Sequence, residues 1–194
     1  MQNVSPDAFF ADLETRLCYR RIADEYAGKT ARRSGIPYIN HIREGCYLLH
    51  LLYAPNDAEL LDPFCLHPLF QNDARFAALL EDNASGITDF PPRAIALAVE
   101  YRRVANAYTL KHAVRAAEQI ELSLIPAVHR LLVADKVQNK KDFMKYLYAQ
   151  HPDRATYRRT ADRSVAYFDS WLAALGVSDA LYQTLVAHLE TEVG

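Results

Sequence analysis

Apolar residues in this chain recur at three- and four-residue steps between short breaks rich in proline and glycine, a spacing that a helix face satisfies and a strand does not. Phe9, Phe10, Leu13, Leu17, Ile22 and Ala23 form one such stripe, and Ile42, Cys46, Leu49 and Leu52 form another. Only six glycines stand among many Ala, Leu, Glu, Lys and Arg. Those residues give up little freedom in a helix, whereas glycine gives up much. With 194 residues, 51% of them hydrophobic, the chain can bury one sizeable core without a second domain. The expectation is an all-α, single-domain helical bundle over residues 1–194, with its core at about 16–175 and a C-terminal helix at 178–190.

The breaks divide the bundle. Ser5-Pro6-Asp7 starts a first helix, with serine as cap and proline in the first turn, running to about Lys29. Gly35 and Pro37 make the stretch from Arg32 to Pro37 a loop. A second helix spans about Ile39 to Tyr53, followed by a turn at Pro55-Asn56-Asp57. Ala58–Leu61 reads as a short helix, and Asp62-Pro63 as the cap of a third carrying Phe64, Cys65, Leu66 and His67, with Pro68 bending it. Phe76–Leu80 continues helically and Asn83–Gly86 connects onward. Further helices are expected at Arg93–Leu110, His112–Leu122, Pro126–Tyr148, Tyr157–Leu175 and Ser178–His188.

A net charge of −2 argues against nucleic-acid binding through bulk charge, so any basic site is local. Cys18, Cys46 and Cys65 are odd in number and lack CxxC spacing, which suits reduced thiols packed as small hydrophobes. The N-terminus lacks a basic region followed by an apolar core, and no apolar run is long enough to span a bilayer. A cytoplasmic protein without a membrane partner is expected. A helical surface rich in Tyr and Leu can also support a homo-oligomer.

Three short pieces carry the chemistry: Pro37-Tyr38-Ile39-Asn40-His41, Leu66-His67-Pro68-Leu69-Phe70-Gln71-Asn72, and Ala134-Asp135-Lys136-Val137-Gln138-Asn139. Two imidazoles and a carboxylate form a ligand set suited to a divalent cation that handles phosphate esters. A histidine within Phe64-Cys65-Leu66-His67 would, taken alone, be a hydrogen-bonded core residue. Asp135 beside Leu131-Leu132-Val133-Ala134 is more demanding, because a carboxylate on a largely apolar helix needs a cation, an arginine or several donors. Lys29, Arg32 and Arg33 cluster just before the first piece, and an exposed turn or a phosphate site would both suit them.

In order and spacing, the three pieces resemble the HD-domain phosphohydrolase superfamily. The nearest branch is the RelA/SpoT-type hydrolases of the alarmone ppGpp and their small single-domain relatives. There the pattern is Pro-Tyr-x-x-His, then His-Asp followed three residues later by Glu-Asp, then Ala-Asp-Lys/Arg-Leu-x-Asn. The resemblance implies that His41, His67 and Asp135 hold Mn²⁺ or a similar cation, and that Lys29, Arg32, Arg33, Tyr38, Lys136 and Asn139 face a phosphorylated nucleotide such as ppGpp or a dNTP. It also implies a phosphohydrolase, and because the chain ends soon after the helical core, no synthetase domain is expected.

The middle piece departs from the pattern. Pro68 stands where the family has a ligating aspartate, and Gln71 and Asn72 stand where it has acids that activate water. An amide can orient a water but cannot take its proton at neutral pH. Two readings stay open. Either three ligands hold the cation, with water or Asp73 in the vacated position, or the cation is lost and the chain is an inactive module that binds a nucleotide or a partner protein.

Overall fold

The computed structural model describes residues 5–54, 58–81, 87–109, 117–148 and 154–193, with residues 154–160 described by backbone alone. Its elements are α1 (Pro6–Thr15), α2 (Leu17–Tyr26), α3 (Tyr38–Tyr53), α4 (Ala58–Gln71), α5 (Asp73–Glu81), α6 (Pro92–Ala107), α7 (Pro126–Asp142), α8 (Arg154–Ala174) and α9 (Asp179–Glu192), with single 3₁₀ turns at Ile87–Asp89 and Ala117–Gln119. The chain is an all-α bundle, and no strand occurs among the described residues. The turn at 55–57, the connection at 83–86 and the start of the 112–122 segment lie outside the described residues. The rest of that last segment holds only the 3₁₀ turn, with 120–122 non-helical.

α4 is the central element, packed against α2, α3, α5, α6 and α7, while α8 and α9 lean on α7. This burial explains two departures from the expected boundaries. The single helix expected from Pro6 to Lys29 is two, broken where Arg16 turns extended (ψ 136°). There its guanidinium reaches Asp62 Oδ1 at 2.8 Å and the Ala58 carbonyl at 3.0 Å. Asp62 is therefore an internal residue of α4 paired with Arg16, not the cap of a new helix. α4 runs unbroken through both Pro63 and Pro68. Each proline removes a helical hydrogen bond, but Leu60, Leu61, Phe64, Cys65, Leu66, Leu69 and Phe70 are all buried, and their packing outweighs the loss.

α3 crosses α4 closely because Gly45 has no side chain. A Cβ there would stand 2.1 Å from Phe64 Cζ. Cys46 and Cys65 meet at the same crossing, Sγ to Sγ 3.8 Å, and all three cysteines are free and buried. Between α2 and α3 the chain makes a tight loop, with Ala31 N–H donating to Ile36 O and Gly35 N–H to Ala31 O, both at 2.8 Å. Gly35 takes φ 73° there, a left-handed conformation that costs glycine little. α7 does not stay α-helical to Tyr148 but loosens into a π turn at Phe143–Tyr148. No helix among the described residues is long and apolar enough to cross a membrane.

Candidate metal centre

His41 lies in the first turn of α3, His67 in the body of α4 and Asp135 in the middle of α7, and the packing of these three helices brings the side chains together. His41 Nε2 is 3.3 Å from His67 Nε2 and 3.4 Å from Asp135 Oδ1, and the last two atoms are 3.7 Å apart. A circle through these three atoms has a radius of about 2.0 Å, so all three can lie within ~2.0–2.2 Å of a common point, a separation ordinary for nitrogen and oxygen ligation. Among the described residues this is the one group of His, Cys, Asp and Glu with metal-holding geometry.

The outward nitrogens decide what the inward ones present. His67 Nδ1 donates to the Phe64 carbonyl at 2.6 Å, an oxygen that can only accept. His41 Nδ1 lies 2.6 Å from Gln138 Oε1. The Gln138 amide cannot be turned round, because its nitrogen faces two carboxylates, Glu44 Oε2 at 3.0 Å and Asp142 Oδ2 at 2.7 Å. His41 Nδ1 must therefore carry a proton. With both Nδ1 atoms donating, each imidazole in its neutral form turns a bare Nε2 lone pair toward Asp135. Three electron-rich atoms converging in a mostly buried site repel one another unless a cation or a proton stands between them. Outer hydrogen bonds of this kind orient metal-ligating histidines.

Asp135 is 2% exposed. Its Oδ1 accepts from Asn139 Nδ2 at 2.8 Å, and Lys136 Nζ stands 2.8 Å from Oδ2. Burial, the largest single influence, raises its pKa, yet Lys136, His41 and His67 together hold it far below the usual carboxylate range. Burial also pushes His67 down to about 3, helped by His41 and opposed by Asp135. Lys136 stays above its ordinary value against its own burial because of Asp135, and its ammonium lies 4.8 Å from the Trp171 ring centre. Tyr101 packs its ring 4.8 Å from that of His67. Burial and the nearby Asp135 carboxylate raise the Tyr101 hydroxyl pKa well above normal.

Beside the triad opens a cavity of about 540 Å³, within the range of small-molecule sites. Tyr38, Lys136 and Asn139 line it, as do Pro68, Gln71, and Phe143 and Leu147 of the π turn. The loop between α2 and α3 forms part of the wall through Ala31, Ser34 and Ile36. Arg32 and Arg33 are exposed on that loop rather than in the wall. Lys29 is also outside it, paired with Glu25 at 2.9 Å. Asp73 does not join the triad: it begins α5, is exposed, and pairs with Arg102. Asn72 accepts from the Arg75 N–H at 3.0 Å and so supports the start of α5. Tyr101 and Tyr108 serve the core, and Asn106 donates to the Gln71 carbonyl at 3.0 Å.

The support behind His41 is absent from the motif reading. Lys140 and Lys141 look like an exposed run, but both are buried, Lys140 on Asp169 at 2.7 Å and Lys141 on Glu44. Asp142 shares Gln138 and lines the cavity. The available signal was spacing, since Asp135, Gln138 and Asp142 fall at i, i+3 and i+7 on one helix face. No protein-family model, no curated protein and no solved structure matches the chain.

Proposed function

We propose that this chain holds one divalent cation on His41, His67 and Asp135 and binds a phosphorylated nucleotide in the adjoining cavity, as a metal-dependent phosphohydrolase of HD-domain type. The observation that carries the reading is the convergence of two bare Nε2 atoms and a buried carboxylate oxygen, with both Nδ1 atoms committed as donors. Two histidines and a carboxylate leave coordination positions open, as catalytic sites require. A cation held there would acidify bound water and polarise a phosphoryl oxygen.

The chain's own groups divide the remaining work. Asn139 and Lys136 steady Asp135. Tyr38, packed against Tyr26 at 5.3 Å between ring centres, offers an aromatic face on the wall for a base. Arg32 and Arg33 set positive charge on the loop beside the cavity, where phosphates enter. Gln71 can hydrogen-bond a substrate but cannot take its proton. Asp142, the other carboxylate of the described wall besides Asp135, is the side chain that can.

The test is incubation of Mn²⁺-loaded protein with ppGpp and with purine nucleoside di- and triphosphates, following phosphate and pyrophosphate release beside a His41→Ala control. Turnover that disappears in the control supports the reading. Nucleotide binding without turnover moves the chain to the regulatory alternative, for which Pro68 and Gln71 at the cavity are the observation. Absence of both binding and turnover would overturn the nucleotide assignment.

A further inference from the structure

In a regular helix the N–H of residue 68 would donate to the carbonyl of residue 64. Pro68 has no N–H, yet α4 passes through it without ending, so the Phe64 carbonyl is left without its helical donor. That same oxygen accepts the 2.6 Å hydrogen bond from His67 Nδ1. Phe64 and His67 are 0% and 2% exposed, so water is a poor alternative partner for either group.

We infer that Pro68 is a positioning residue. By withholding a backbone donor, it reserves the Phe64 carbonyl for His67 Nδ1–H, and thereby fixes the tautomer and ring plane that aim Nε2 at His41 and Asp135. An N–H at position 68 would approach the same oxygen along the helix axis and compete with the imidazole for it. The residue that removes a carboxylate from the middle motif thus supplies orientation to the histidine before it. The purpose of this arrangement rests on the metal reading above, but its hydrogen-bond chemistry does not.

The experiment uses full-length, metal-free protein with ¹⁵N-labelled histidine, reading the Nδ1 and Nε2 shifts of His67 at neutral pH, and then Zn²⁺ affinity by calorimetry. In wild type the His67 signals report the Nδ1–H form alone. Pro68→Ala restores the backbone donor in a helix-compatible residue, and is expected to mix the two tautomers and to weaken Zn²⁺ binding by roughly tenfold. A Pro68→lactate variant, whose backbone ester also lacks the N–H, is expected to restore the wild-type shifts, and it keeps the test open if Pro68→Ala folds poorly. Wild-type shifts in Pro68→Ala, or mixed tautomers in the lactate variant, would overturn the inference. If wild type binds no Zn²⁺, the metal reading fails, and the tautomer comparison still decides the role of Pro68.

Discussion

Gln138 holds its place by having different partners at its two amide atoms. Its oxygen accepts the hydrogen bond from His41 Nδ1–H while its nitrogen donates to Glu44 and Asp142. Gln138→Leu removes the acceptor without adding charge. The expected outcome is a loss of metal affinity of roughly 10–100-fold with unchanged helical content, measured by calorimetry and circular dichroism. Lys141→Met acts on stability instead, because it leaves the mostly buried Glu44 carboxylate without its cation. Removing one partner of such a pair costs about 3–5 kcal/mol, which urea denaturation will read. A loss under about 1 kcal/mol would place the pair with ordinary surface ion pairs. His41, His67 and Asp135 were legible in the sequence because their types and order are unusual together. Glu44 was not, since its partner Gln138 lies 94 positions away and nothing local marks the pairing. The partners of Lys140 and Lys141 are equally invisible in the sequence: a charge run reveals that charges exist, not that carboxylates from other helices meet them.

At the scale of the element, α3 and α4 set the spacing of the two histidines, and Gly45 sets how closely they cross. Gly45→Ala drives a methyl into the Phe64 ring, which is fully buried and itself packs against both His41 and His67. Overpacking of this kind costs about 1–3 kcal/mol. A lower urea midpoint together with weaker metal binding is the expected result, and a midpoint equal to wild type would show that the crossing relaxes freely. Helix existence was readable from periodicity almost throughout, whereas boundaries were not. Arg16 breaks the first helix to reach Asp62 and Ala58, partners more than forty residues away. Pro63 and Pro68 read locally as a cap and a bend, but burial of α4 on several sides overrides both.

For the whole molecule, the buried triad links stability to acidity. The fold lowers the His67 pKa from 6.5 to about 3, so between those values the unfolded chain holds a proton that the folded chain does not. Stability of the metal-free protein therefore falls as pH drops through that window. Asp135 acts in the same direction below its ordinary 3.8, since its folded pKa is also lowered. The expected record is a urea midpoint that decreases steadily from about pH 7 to about pH 4, with a shallower slope in His67→Gln; a flat profile would contradict the buried, neutral state of His67. A cation that binds only the folded protein raises the midpoint in proportion to the logarithm of its concentration. The central claim is the cation itself, and its most direct test is elemental analysis of untagged protein after loading with Mn²⁺ and exhaustive dialysis, beside His41→Ala and Asp135→Asn. Near one equivalent is expected in wild type and little in either variant. No retained metal in wild type, or the same amount in all three proteins, would contradict it.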